Sequence, residues 1–472
     1  MSPGGAASPG RDAPFVYEGY ELDPERAELR CTYSLGADRF VERVTFDPGG
    51  RWDDPRVDPA ARWVFLLSAV SYYKTAAPTV IELGDLALTA SEREFLRSFY
   101  VDGLGEFAYR NDIDLDRLDL RGPREPAPAA LAPVEPGRAT GSGAPGEPGR
   151  ATGSGTPVAG RPLVPFGGGI DSIVSAELVG RRFPDAALFV VSAAGTRFEA
   201  IERPAALTGL GVRRAERALD RQLLDPGRPG YLNGHVPVTG IISALAVLAA
   251  VLFDHDAVVM SNEWSASIGS LTDGDRRINH QYSKGLEFEA GFRAVLGATV
   301  GPRPQYFSLL RPYSEVWVAR RFARLDRYHD AFRSCNRAFH LDPARRLDRW
   351  CGECDKCCFI DLVLAPYLTP GALGAIFGGV EPLERPGLAE RFRTLLGTSA
   401  APKPFECVGD VGECRTALLL AAARADRAGS RLVQALAAEV AAAGGAPAPA
   451  DHERPRGDHW VPDAYAAQDQ LV

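Results

Sequence analysis

Apolar positions in the second half of this chain fall into short continuous runs separated by longer amphipathic stretches. Leu163 to Phe166, Ala187 to Ser192 and Ala257 to Ser261 have the length and composition of buried strands. Between them, Ile170 to Arg181 places Ile173, Val174, Ala176, Leu178 and Val179 at helical spacing, and Val236 to Phe253 holds the longest apolar run, Gly240 to Phe253. That run is shorter than the roughly 20 residues a bilayer span needs, so it predicts a buried helix. Strand and helix in alternation predict an α/β fold, a parallel sheet with helices on both faces and ligands beyond the carboxyl ends of the strands. Upstream, a strand at Phe40 to Phe46, a helix at Arg62 to Tyr73 and a strand at Thr79 to Leu83 predict a separate α+β region. From Pro370 onward the pattern is helical, ending in the alanine-rich Thr416 to Ala443.

Composition divides the chain further. Residues 1–14 are rich in Gly, Pro, Ala and Ser and are expected to be disordered. Residues 15–120 form the α+β region, 121–160 a linker, 161–369 the domain of alternating strands and helices with a cysteine cluster, 370–443 a helical region and 444–472 a polar tail. In the linker, Glu135-Pro-Gly-Arg-Ala-Thr-Gly-Ser-Gly recurs at Glu147, and a repeat that short with no apolar face cannot form a core. The 472 residues are 45% hydrophobic and 24% charged, the composition of a soluble protein of two or three domains. A net charge of -8 disfavours nucleic acid as a partner, since that affinity rests on many cationic phosphate contacts. The N-terminus has neither a basic segment nor an apolar one of the kind that directs secretion, so a cytoplasmic location is expected.

Three clusters carry chemistry. Pro165-Phe166-Gly167-Gly168-Gly169-Ile170-Asp171-Ser172 lies between a predicted strand and a predicted helix. Glycines there let backbone N–H groups approach phosphate oxygens and the helix N-terminus adds partial positive charge, so Gly167, Gly168, Gly169 and Ser172 are expected to grip a pyrophosphate and Asp171 a magnesium ion. A tight strand-to-helix turn without ligand is the plain alternative. Neither G-x-G-x-x-G nor G-K-[ST] is present in it. The second cluster is Cys335 with Cys351-Gly-Glu-Cys354-Asp-Lys-Cys357-Cys358, holding five of the eight cysteines. Cys335, Cys351, Cys354 and Cys357 can supply four thiolates to a structural zinc, with Cys358 a bystander; buried, metal-free cysteines are the alternative. The third cluster is Asn262 to Ser267 followed by Asn279 to Lys284. Glu263 can hold magnesium, while His280 and Lys284, four apart, would share one helical face as acid and base. A structural histidine is the bland account of His280. Arg311 adds a cation for an anionic substrate, and Lys74 is a second anion contact, although solvated charge explains each as well.

The glycine loop resembles the S-G-G-x-D-S loop of the PP-loop (adenine nucleotide α-hydrolase-like) ATP pyrophosphatases, with Gly167 in place of the first serine, a departure that leaves more of the work to backbone donors. Several of those enzymes carry a similar C-G-x-C-x-x-C knuckle. Taken with Phe65 to Lys74, Asn262 to Ser267, Asn279 to Lys284, Arg311 to Ala319 and Ser334 to Pro366, the chain is similar to the UDP-N-acetylmuramoyl-L-alanyl-L-glutamate epimerase (MurL) family. The resemblance implies an ATP- and magnesium-dependent isomerase of peptidoglycan precursor synthesis. Such an enzyme inverts the terminal L-glutamate of a UDP-sugar dipeptide through an acyl-adenylate and releases AMP and diphosphate. For that chemistry His280, Lys284 and Glu263 are the catalytic residues expected from their type and position in the chain. Two other classes remain open at this point: a PP-loop ligase acting on another carboxylate or on RNA, and a nonenzymatic zinc-stabilised binding module.

Overall fold

The computed structural model describes residues 13–126, 136–138, 160–224, 230–269, 271–274, 276–340 and 343–466. The expected disordered N-terminus and most of the expected linker lie outside the described residues. Ten strands form one large sheet: β1 (Phe15–Asp23), β2 (Glu28–Leu35), β3 (Asp38–Phe46), β4 (Val80–Glu82), β5 (Asp119–Arg121), β6 (Pro162–Pro165), β7 (Ala187–Ala193), β8 (Gly211–Ala218), β9 (Ala257–Met260) and β10 (Gln305–Ser308). Their order is β10-β9-β6-β7-β8-β3-β2-β1-β4-β5. The half from β10 to β8 is parallel, as the alternating pattern predicts.

The α+β region is not a separate unit. Strand β3 pairs antiparallel with β8, with Phe46 opposite Ala215, so the β1–β3 meander extends the parallel half into a mixed sheet. Strand β8 itself, Gly-Val-Arg-Arg-Ala-Glu-Arg-Ala, lacks the apolar run of a central strand. Its arginines find partners instead: Arg217 pairs with the fully buried Glu42 of β3, and Arg214 bonds Glu202 through both terminal nitrogens.

Alternation along the parallel strands splits the core in two. Leu163, Phe189, Val258 and Met260 face one cluster with helices Val57–Ser68 and Val238–Leu252, while Val164, Leu188, Val190 and Val259 face another with helices Ile170–Arg182, Glu315–Phe322 and Asp355–Leu364. The C-terminal helices pack on the second face. The alanine-rich stretch is two helices, Val411–Ala422 and Arg431–Ala442, parted by a turn in which buried Arg427 forms a two-pronged ion pair with Glu381.

Residues 444–466 are no free tail. Asp458–His459 pairs with Gly137–Arg138, and Tyr465 is buried with its ring 4.4 Å from Phe183 and 4.8 Å from Phe307. Among the described residues no helix is long and apolar enough to cross a membrane.

Candidate active site

Strand order reverses between β6 and β9: the chain runs outward from β6 through β7 to β8, then returns to place β9 and β10 on the other side. A crevice opens at such a switch point, beyond the carboxyl ends of the strands. The loops after β6, β9 and β10 meet there, bringing Gly167–Ser172, Asn262–Ser267 and Arg311–Glu315 together.

The glycine loop is built as its sequence predicts. Gly168 has φ +75°, and a Cβ on it would stand 2.3 Å from the Ala200 carbonyl oxygen, so no other residue fits. Gly169 precedes helix Ile170–Arg182, and Ser172 Oγ donates to its carbonyl at 3.1 Å. A Cβ on Gly167, by contrast, meets nothing within 4 Å.

Asp171, Glu263 and Glu315 each bring a carboxylate oxygen within 4.8 Å of the others. Asp171 Oδ1 and Glu315 Oε2 are buried with no hydrogen-bond partner. Burial, then repulsion from Glu263, pushes Asp171 up to about 7 against the opposing pull of Lys356 and Lys284; burial and the charges of Asp171 and Glu263 raise Glu315 well above the carboxylate range. Three crowded acids, two of them with orphaned oxygens, fit a hard divalent cation, which magnesium would supply. Glu315 is fixed from behind by the C-terminal region, its backbone N–H donating to Glu413 Oε1 at 3.0 Å. Glu413 also closes the Asp410 capping box, and burial lifts it to about 8.

A second group adjoins the acids. His280 Nδ1 bonds the buried Glu106, which also accepts from Arg110 Nε at 2.6 Å. The same imidazole interacts with Cys407. Burial alone would depress the imidazolium, but the bonds to Cys407 and Glu106 outweigh it and hold His280 up at about 9. Burial, next to that charge, holds His235, whose ring lies 4.2 Å from His280, down at about 4. Burial also works against the Lys284 ammonium, yet Cys407, Glu263 and Asp171 raise it, and its side chain bonds Cys407 as well. Burial would raise the Cys407 thiol; Lys284, the His280 bond and Lys356 bring it down to about 6. The cluster therefore holds two cations around one thiolate.

His280 and Lys284 do meet, but not on one helical face: His280 precedes the short 3₁₀ turn Tyr282–Lys284, and both converge on Cys407. Arg311 is a clamp and not a substrate contact. It is 1% exposed, pairs with Glu289 at 3.0 Å, and donates to the carbonyl oxygens of Glu263 and Lys284 and to Ser267 Oγ, locking the two polar segments together. Lys74 is spent on Asn233 Oδ1 and the Gly234 carbonyl, each at 3.1 Å.

The four cysteines of the expected knuckle come together, all sulfurs within 4.8 Å, with separations of 4.0 Å (Cys335–Cys354), 3.6 Å (Cys351–Cys357) and 3.5 Å (Cys354–Cys357). Tetrahedral Zn–S bonds would set sulfurs about 3.8 Å apart, so the residues fit a zinc ion. Cys358 is buried outside the group. Sequence reasoning missed Glu106, His235, Glu315, Lys356, Cys407 and Glu413. The Asp410-x-x-Glu413 capping pattern just after Cys407 was the one local signal that the segment is anchored.

Residues 7–309 match the MurL N-terminal domain and residues 331–450 the MurL C-terminal domain. Proteins named UDP-N-acetyl-alpha-D-muramoyl-L-alanyl-L-glutamate epimerase align closely. That of Xanthomonas oryzae pv. oryzae is 39% identical over 78% of this chain and 76% of its own length, that of Salinispora tropica 39% over 86% and 84%, and that of a Micromonospora species 38% over 96% of both. No solved structure matches the chain. With both domains matched and the alignments running across most of its length, the chain belongs to the MurL family and is an enzyme of the isomerase class, an epimerase.

Proposed function

We propose that the protein inverts the terminal L-glutamate of UDP-N-acetylmuramoyl-L-alanyl-L-glutamate to D-glutamate, using ATP and magnesium and releasing AMP and diphosphate, as a step of peptidoglycan precursor synthesis. The observation that carries this is the junction of two chemistries in one crevice: a glycine loop with three converging acids, next to a proton-transfer cluster of His280, Lys284 and Cys407. Magnesium held by Asp171, Glu263 and Glu315 would neutralise phosphate charge. Gly167–Gly169 present backbone donors to the pyrophosphate, and the N-terminus of helix Ile170–Arg182, where Ser172 lies, adds its dipole.

A free carboxylate resists loss of its α-hydrogen because the carbanion would form beside a negative charge. Adenylation cancels that charge, and the acyl-adenylate draws the electron pair of the breaking C–H bond into its carbonyl oxygen. Protonated Lys284 and His280 supply the positive field an enolate requires. Hydrolysis after inversion gives the product and AMP, and ATP cleavage drives the sequence forward.

The test is to incubate the protein with magnesium, ATP and the UDP-sugar dipeptide, then measure AMP, diphosphate and the chirality of glutamate after acid hydrolysis. D-Glutamate appearing with AMP is the expected result. AMP without inversion would remove the epimerisation, and inversion without AMP would remove the adenylate.

A further inference from the structure

We propose that the Cys407 thiolate takes the α-proton of the activated glutamyl residue, with His280 and Lys284 as its cationic partners and not themselves the base; this rests on the adenylation reading above. The other proton acceptors of the crevice are committed. Asp171, Glu263 and Glu315 converge on one another, Glu106 is held by His280 and Arg110, and His235, packed on the His280 ring and held down at about 4, is too weak a base to compete near neutrality. Phe405, two residues before Cys407, packs with its ring 6.5 Å from that of His280, and both His280 and Lys284 interact with the Cys407 side chain. Among the described residues that leaves Cys407 as the acceptor, within range of the Asp171 charge.

Its placement is that of a positioned group. Lys356 Nζ donates to the Cys407 carbonyl, Asn336 Nδ2 fixes the preceding Glu406 at 2.7 Å, and the following Val408 is buried. Cys407 itself keeps partial exposure, whereas Cys31, Cys358 and Cys414, the other cysteines outside the knuckle, are buried. A thiol brought near neutrality by neighbouring cations is matched to proton abstraction at the pH where the enzyme works.

In the step the Cα–H bond breaks, the proton joins Sγ as a thiol, and the electron pair passes into the acyl carbonyl oxygen as an enolate. A solvent water delivers a proton to the opposite face of Cα, and the hydroxide left behind takes the thiol proton, restoring water and thiolate. Each inversion thus places one solvent hydrogen on the α-carbon.

The full chain is tested in D₂O with magnesium, ATP and the UDP-sugar dipeptide, following deuterium at the glutamyl α-carbon and diphosphate release in the same samples. Cys407→Ala and Cys407→Ser should lose α-exchange by about 10²–10⁴-fold while diphosphate release persists. Folded variants that exchange at the wild-type rate would overturn the assignment, as would a substrate acyl group recovered on Cys407 of the acid-quenched wild type, which would make the thiolate a nucleophile. Should the variants fail to fold, iodoacetamide on the wild type reads the same group. The charges of Lys284, His280, Lys356 and Asp171 act on the sulfur, so alkylation mapped to Cys407 should show a midpoint near 6 and abolish exchange. An ordinary thiol midpoint, near 9, would oppose it. Exchange without diphosphate release in the wild type would strike the adenylate alone; Cys407 then stands if its removal stops the exchange and falls if it does not.

Discussion

At the scale of single residues, two adjacent glycines differ sharply in what they tolerate. Gly168→Ala drives a Cβ into the Ala200 carbonyl at positive φ, and should cost about 1–3 kcal/mol in denaturant unfolding while abolishing ATP binding. Gly167→Ser, restoring the hydroxyl of the PP-loop pattern, enters open space and should change stability by less than about 0.5 kcal/mol and keep activity. Charge states make a second prediction. Burial raises the Cys407 thiol, but Lys284 and His280 pull it to about 6; burial lowers His280, but Cys407 and Glu106 lift it to about 9. Turnover should therefore rise through about pH 6 and fall through about pH 9. Stability behaves otherwise. The depressed Cys407 adds stability as pH rises from its folded value toward the unfolded thiol, and the raised His280 loses stability as pH rises over nearly the same span, so the two slopes cancel. A bell in turnover without a matching bell in denaturation midpoint is the expected pair of curves, and an activity flat from pH 5 to 10, outside the window of about 6 to 9, would remove the thiolate–imidazolium pair. Glycine loop and acid were legible in the sequence because they are local: a strand, a turn and a helix fix Gly167 to Ser172 together. Cys407, more than a hundred residues from His280, was not, because nothing near it signals which side chain it will meet.

At the scale of elements, the cysteine knuckle reaches the Cys407 segment through Lys356 and through Asn336, the neighbour of Cys335, which bonds Glu406. Lys356 lies between Cys354 and Cys357 at the start of helix Asp355–Leu364, and its ammonium holds the Cys407 carbonyl. A zinc ion on the four sulfurs would set the angle of that helix's first turn and hence the position of Cys407. Elemental analysis should find one zinc per chain, and Cys354→Ser or a strong chelator should remove it and lower epimerisation by about tenfold or more, the scale of lost support around a site. A metal-free protein with full activity would reduce the knuckle to packing. Spacing made these four cysteines legible, and the structure gathers all of them. Strand β8 was hidden for the opposite reason: its alternation is carried by arginines whose partners, Glu42 and Glu202, come from elsewhere in the chain. The helical-face argument for His280 and Lys284 failed because a 3₁₀ turn replaces the helix, yet tertiary packing still lets both side chains interact with Cys407.

At the scale of the whole molecule, the C-terminal segment ties the crevice to the far side of the fold, where composition suggested only a polar tail. His452 is buried, accepting from Ser314 Oγ through its carbonyl at 3.0 Å and bonding Thr416 through Nε2; Arg456 lies over the Trp264 ring at 4.2 Å and its N–H reaches the Pro312 carbonyl at 2.9 Å. Trp264 and Ser314 are the chain neighbours of Glu263 and Glu315, so this segment backs two of the three converging acids. Tyr465 does a different job. Its ring lies between Phe183 and Phe307, and losing it opens a cavity. Tyr465→Ala should therefore cost about 3–5 kcal/mol of stability and leave diphosphate release near wild type in the folded protein. Deleting residues 449–472 removes both supports, and should lower diphosphate release and the affinity for magnesium as well as stability. Denaturant unfolding and magnesium-dependent diphosphate release, measured on both variants, separate the two effects. If the deletion costs only what Tyr465→Ala costs, the acids hold their geometry without help from the C-terminal segment. If release falls selectively in the deletion, that segment is part of the wall that makes the cation site.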